Sequence, residues 1–282
     1  MTERLFSYRW DIDHRACITD GLPKIIDVCD ELGVKNTFFV NMGRSTNLRE
    51  WLGKGLRGSR AKLNDMEAVN LIKKIGWPRF VLETLLSRPV GASLIKPLEQ
   101  LLKRGHELGL HGGSDHVIWS RRFAQLPTEA IADDVTRTLG LYTRYFGKPQ
   151  GFTSPGFKCD ERVRRIVEQL GFSYDGDAIG GQPHRGLVGQ TQVRHWTIPV
   201  TLCGPRTIPL MEWHGARGSS DDEIVADIQR RIANENWVVL YGHPCYEGVH
   251  EGLLRRVFRA VQEAGFRFLT HAQMAERLYA GA

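Results

Sequence analysis

Asp11 and Asp13 stand one residue apart. Along an extended chain that spacing puts both carboxylates on one face and Ile12 on the other. One carboxylate can then hold a cation while the other takes a proton. His111 and His116 share the short loop His-Gly-Gly-Ser-Asp-His. Two imidazoles and a carboxylate from elsewhere make a metal-binding set with positions left for water and substrate. His243 lies in Tyr-Gly-His-Pro, directly after an apolar run, where an imidazole could protonate a leaving amine. Each of these has an ordinary alternative: a solvated turn, a satisfied core histidine, a strand-end imidazole bonded to backbone. Their joint occurrence after successive apolar runs favours chemistry. Thr153, Ser154, Asp175, Asp177 and Glu247 follow apolar runs in the same way.

The elements that must position them alternate. Arg4–Trp10 reads as a strand, Gly21–Gly33 as an amphipathic helix closed by Gly33, and Asn36–Val40 as a buried strand. After residue 94 the rhythm resumes. Helices are expected near 94–104, 127–145, 160–170, 219–234, 253–264 and 270–278, and strands near 106–110, 149–152, 172–174, 193–201, 237–241 and 266–269. Thr128 is a candidate N-cap for the second of these helices. Repeated β-α units imply a parallel sheet, and the strand number favours closing it into a barrel. In such folds the reactive groups collect at the C-terminal strand ends. The expectation is a single α/β domain over residues 1–282, with a basic, mostly helical insertion at about 41–94.

Composition bounds the remaining possibilities. The chain has 282 residues, 41% hydrophobic and 25% charged, enough to bury a large core. No apolar run is long enough to span a bilayer, and the N-terminal stretch has no apolar core of a signal peptide. Five cysteines without a Cys-x-x-Cys pair read as reduced thiols, so a cytoplasmic protein is expected. The formal charge is +6, and residues 41–100 alone, with eleven Lys and Arg against five Asp and Glu, account for the whole excess. There Arg44, Arg49, Lys54, Arg57, Arg60 and Lys62 alternate with Trp51, Leu52, Leu56 and Leu63. That pattern suits a segment lying on an anionic membrane surface. Charge alone would also suit nucleic acid, but no helix-turn-helix, zinc-finger or RRM signature is present, so no nucleic-acid partner is expected. Nothing points to a protein partner.

Together the segments resemble the polysaccharide deacetylase (NodB-homology) family. Asp-Ile-Asp followed by a helix and NTFFVNMGR resembles its first block, LGLHGGSDHVIW its second and VVLYGHP its last. The Asp-x-Asp spacing, Asn41-Met42-Gly43-Arg44, Ile198–Leu202 and His243-x-x-x-Glu247 resemble in particular the members that deformylate lipid-linked amino sugars. The resemblance implies a distorted barrel of about seven β/α units and a divalent transition metal, zinc, manganese or cobalt. It implies Asp11 as base, Asp13, His111 and His116 as ligands, and His243 as acid, with Glu247 or Asp175 orienting it. The implied substrate is an N-acylated amino sugar on undecaprenyl phosphate, met at the inner face of the cytoplasmic membrane. An N-acetyl hexosamine deacetylase on another carrier and a non-catalytic glycolipid-binding relative are the alternatives. Two positions depart from the family. Its second histidine falls at the fourth position, where Asp115 stands here, so Asp115 is a further candidate ligand or orienting group beside His116. Its third-block arginine, which steadies the base, is Thr153 here, so another cation, or none, does that job.

Overall fold

The computed structural model describes residues 3–45 and 76–281. The positions Arg49, Lys54, Arg57, Arg60 and Lys62 lie outside the described residues. Of the expected insertion, the described part holds one helix, Trp77–Leu86, and a short turn at Gly91–Ser93.

The strands are β1 (Arg4–Ile12), β2 (Thr37–Val40), β3 (Glu107–His111), β4 (Gly151–Thr153), β5 (Tyr174–Asp175), β6 (Leu187–Val188), β7 (Thr191–Gln192), β8 (Trp196–Thr197), β9 (Trp237–Gly242) and β10 (Phe266–Phe268). All but the β6–β7 hairpin join one parallel eight-stranded sheet. Its order is β9-β1-β2-β3-β4-β5-β8, and β10 pairs with the lower half of β1 below β2. The chain after β8 closes the curl. A parallel bridge joins Leu202 to Leu240, with Leu202 N–H donating to Val239 O at 3.0 Å. Seven strands therefore ring the barrel, as the β/α count predicts. The expected strand at 193–201 is regular only at β8, because proline 199 and the turn toward β9 end the ladder there.

β1 is central and reads inside out. Phe6, Tyr8, Trp10 and Ile12 pack outward under the helices. Leu5, Ser7, Arg9 and Asp11 therefore face the barrel interior, and all four are buried, as is Asp13 beyond them. The helices supply the outer layer. Gly33 closes Leu22–Leu32 in the left-handed region (φ 65°), and Ser220 and Thr270 form capping boxes on Asp221–Ile232 and His271–Ala280. Thr128 does not cap its helix. Pro127 occupies the N-cap, and Thr128 is the first helical residue. Among the described residues three short helices escape the periodicity analysis, His116–Arg122, Leu210–Ala216 and Pro244–Glu247, because none exceeds seven residues.

The barrel floor is polar. Glu107 accepts from Thr37 Oγ1 (2.9 Å), Tyr174 OH (2.7 Å) and Ala272 N–H (2.8 Å). His271 Nδ1 lies 2.8 Å from Ser7 Oγ. Burial, helped by the nearby Arg9 cation, pushes the His271 pKa down to about 3. A folded pKa below the unfolded value of about 6.5 means the unfolded chain binds more protons between the two. Stability is therefore full above about pH 6.5 and is lost as pH falls through that window, by about 1.4 kcal/mol per pH unit from this group. In His271→Gln the slope of unfolding free energy against pH, from urea titrations, is expected to flatten by that amount. An unchanged slope would refute it.

Candidate metal and catalytic site

The site is built from three strand ends and the helix that follows one of them, at one mouth of the barrel. Asp11 closes β1 and Asp13 follows it, His111 ends β3, and His243 follows β9. Asp13 sits between the imidazoles. Its Oδ1 is 3.1 Å from His111 Nε2 and 3.3 Å from His116 Nε2, and its Oδ2 is 3.4 Å from His243 Nε2. Donor atoms of Asp13, His111 and His116 all lie within 4.8 Å of one another. Asp13 Oδ1 and His116 Nε2 are buried, yet neither makes a hydrogen bond of good geometry. Two nitrogens and an oxygen that converge side by side, with lone pairs unspent, fit a divalent cation of the zinc class.

Electrostatics agrees. Burial would raise the Asp13 pKa, but His116, His111 and His243 hold it well below the usual carboxylate range. Burial would lower His116, but Asp13 raises it on balance. Protons on these imidazoles therefore compete with a cation for the same lone pairs, and acidification is expected to release it.

The loop between the two histidines explains their unusual spacing. His111 belongs to the strand and His116 to the first turn of helix His116–Arg122. Asp115 caps that helix, accepting from Val117 N–H (3.1 Å) and Ile118 N–H (3.0 Å). Its carboxylate faces the helix N-terminus and is not in the cluster with the histidines. Gly112 takes a positive φ of 65°, and a Cβ there would lie 2.4 Å from Pro155. Asp134 fastens the loop from the side through Ser114 N–H (3.0 Å) and Trp119 Nε1 (2.9 Å). Arg44 serves through its backbone: its N–H donates to Ser114 O at 2.9 Å, and its carbonyl accepts from His116 N–H at 3.0 Å.

Behind the ligands, Thr153 Oγ1 lies 2.7 Å from His111 Nδ1. This contact fixes the ring and leaves Nε2 free to bind a cation. Thr153→Val is expected to weaken metal affinity about 10- to 100-fold. Competition with a chromogenic chelator would measure it, and an unchanged affinity would refute it.

Two partners were not legible in the sequence. Arg9, buried in the barrel, grips Asp11 with both prongs: Nε to Oδ1 at 2.7 Å and Nη2 to Oδ2 at 2.8 Å. Burial pushes the Asp11 pKa up, but Arg9, aided by His111, brings it below the ordinary value. The signal was present as Arg-x-Asp-x-Asp, an alternation that extends two residues before the aspartates. Glu212 is the second. It is 1% exposed on helix Leu210–Ala216, and its Oε1 is 2.5 Å from His243 Nδ1. An acid between large apolar residues in Leu-Met-Glu-Trp was its only signal.

The expected orienting groups for His243 lie elsewhere. Glu247 Oε2 accepts the His243 backbone N–H at 2.8 Å and so holds the main chain, while Glu212 meets the ring. Asp175 belongs to another cluster, 3.2 Å from His195 Nε2 and accepting from Thr197 Oγ1 at 2.9 Å. Asp177 accepts from Ser154 N–H and Oγ. Burial and the neighbouring Asp175 push its pKa to about 6.

A curled parallel sheet with histidines and carboxylates gathered at its strand ends defines an α/β barrel with a candidate metal site at one mouth. The chain belongs to the polysaccharide deacetylase family, whose profile matches residues 10–174. Among curated proteins it is similar to the "Probable 4-deoxy-4-formamido-L-arabinose-phosphoundecaprenol deformylase ArnD" of Shewanella sediminis, 26% identical over 199 residues. The match covers 69% of this chain and 62% of that relative. The protein of the same name from Wigglesworthia glossinidia brevipalpis is 25% identical over 190 residues, covering 64% of this chain and 63% of its own length. The chain thus spans less than two thirds of these relatives. A polysaccharide deacetylase-type crystal structure from Mycobacterium smegmatis shares the fold, with a TM-score of 0.66 at 14% identity, covering 100% of this chain and 92% of the other.

Proposed function

We propose that the chain hydrolyses the N-acyl amide of an amino sugar carried on a lipid phosphate, with a formamido-arabinose on undecaprenyl phosphate as the substrate to test first. One observation carries this reading: the Asp13–His111–His116 donor set shares its mouth with an Arg-held carboxylate, Asp11, and a Glu-held imidazole, His243. When bound, a divalent cation there supplies Lewis acidity toward the acyl carbonyl and the attacking water. Asp11 accepts the water's proton. His243, as the imidazolium, donates its Nε2 proton to the departing amine, and Glu212, bonded to Nδ1–H, orients the ring and stabilises its charge. Amine and formate, or acetate, leave as products.

A surface feature supports the choice of a lipid carrier. A cleft of about 180 Å³ is lined by Arg15, Arg79 and Arg88 with Glu83 and Thr19 over Leu82 and Leu86; Arg79 is paired with Asp20, and Arg15 is two residues beyond Asp13. Trp77, Leu82, Leu85 and Leu86 are exposed beside it. Cations over apolar side chains suit an anionic headgroup with an acyl or prenyl tail. Among the described residues no helix is long and apolar enough to cross a membrane. Placement on the inner face of the cytoplasmic membrane is part of the same proposal, with Arg44, Arg57 and Arg60 as contributing cations.

The test is release of formate from 4-deoxy-4-formamido-L-arabinose-phosphoundecaprenol by the remetallated protein, beside acetate release from N-acetylated chitooligosaccharide. Formate from the first alone supports the reading. Acetate from the second alone moves the substrate to a soluble N-acetyl hexosamine, and neither product refutes hydrolysis of both. Charge reversal at Arg57 and Arg60 is expected to abolish sedimentation with anionic liposomes, and unchanged sedimentation would refute the membrane role of that pair.

A further inference from the structure

Arg9 is a cation that the family resemblance does not assign. It is fully buried in the barrel interior, a costly place for a guanidinium unless its partners are fixed. Here they are. Both prongs of the fork meet both oxygens of Asp11 at 2.7 and 2.8 Å, and Nη1 donates to Gly176 O. Its plane is clamped by rings: Phe157, Phe39 and Tyr241 lie 4.6, 5.4 and 5.8 Å from the guanidinium carbon. Gly176 makes the room. A Cβ there would lie 2.9 Å from Thr153 Cγ2 and 3.2 Å from Arg9 Nη1. Among the described residues the ion pair of Arg9 is with Asp11.

The family's third-block arginine is replaced here by Thr153, whose hydroxyl is engaged by His111 Nδ1 on the metal side. The cation thus enters the barrel from β1, two residues before the group it holds.

We propose that Arg9 is the positioning residue for Asp11, fixing the plane of the carboxylate so that a free lone pair faces the barrel mouth. The proposal rests on the reading of Asp11 as base. A fork on both oxygens uses one lone pair on each and leaves one on each, while stopping rotation about the Cβ–Cγ bond. A lysine ammonium reaches the same space as a point charge and does not fix the plane. A base held within a fraction of an ångström of its proton is worth about a hundredfold in rate.

The experiment compares Arg9→Met, Arg9→Lys, Arg9→Ala and Asp11→Asn, and the Arg9→Met/Asp11→Asn double variant, all remetallated identically. Metal content, kcat and KM for formate release, and crystal structures are measured. Arg9→Met is expected to keep its metal and a KM near wild type while kcat falls about a hundredfold. Arg9→Lys is expected to recover only a small part of kcat. Ethylguanidinium is expected to raise kcat of Arg9→Ala about tenfold or more and to leave Asp11→Asn unchanged. The double variant is expected to be no slower than Asp11→Asn alone. In crystals of Arg9→Met the Asp11 carboxylate is expected to rotate.

The proposal is overturned by Arg9→Met or Arg9→Lys with full kcat, by losses that multiply in the double variant, or by a carboxylate that stays in place. If Arg9→Met does not fold, Arg9→Lys and the ethylguanidinium arm decide. If the wild type releases no product from any substrate, the reading of the function fails. The crystal structures still test the positioning.

Discussion

Asp13→Ala is expected to yield a folded protein that retains no stoichiometric divalent metal and loses at least about a thousandfold in kcat/KM. The size follows from the chemistry. Lewis-acid activation supplies several kcal/mol of transition-state stabilisation, and each 1.4 kcal/mol is about a factor of ten. Asp13 is the group for this test because it contacts all three imidazoles, His111, His116 and His243. It is also the only anion among the three metal-ligating candidates. The fold should survive, since without Asp13 the imidazoles can stay neutral. Elemental analysis after identical remetallation measures metal per chain, with His111→Ala as a second variant, and circular dichroism checks the fold. About one equivalent in the wild type and none in either variant is the expected result. Equal metal in Asp13→Ala and wild type would remove this site as the metal centre.

Glu212→Gln is expected to lower kcat by about 10²- to 10⁴-fold with little change in KM or metal content. The substitution keeps size and burial and removes the charge. Glu212 accepts from His243 Nδ1 at 2.5 Å, which places the ring's other nitrogen toward Asp13 and the mouth. An amide in its place carries no charge to stabilise the doubly protonated imidazolium, the form in which Nε2 holds the proton for the departing amine. Because both residues act as one unit, His243→Ala and the double variant should be about as slow as Glu212→Gln. Steady-state kinetics on the three variants decide it. Multiplying losses would mean that Glu212 acts apart from His243. The contrast with Glu247 is part of the argument. Glu247→Gln keeps a side-chain oxygen for the His243 backbone N–H, so a much smaller loss is expected there.

How much of this was legible in the sequence depends on the range of the interaction. β1, β2, β3 and β9 were readable as apolar runs, and their polar ends as strand ends. The helix at Leu22–Leu32 with its Gly33 cap, and the capped helix at Asp221–Ile232, were readable from periodicity and cap residues. Helix Leu210–Ala216 was not, because seven residues are too few to establish a period, and the acid that holds His243 went with it. Asp115 and His116 were indistinguishable by spacing alone. The N-cap contacts to Val117 and Ile118 separate them. Asp175 fitted every strand-end rule, but the turn of the barrel gives it to His195.

The sequence by itself determined what is set within a few residues. It put Asp11 and Asp13 on one face, the reactive groups just after strands, and the basic excess in one segment. These follow from the two-residue period of a strand and from local composition. Tertiary structure alone decided the pairings: Arg9 with Asp11 and Gly176, Thr153 with His111, Glu212 with His243, and His111 and His116 with Asp13. Most of these join residues 31 to 167 positions apart. Side-chain types show what each group can bond to. Only the closure of the barrel determines which of them come into contact.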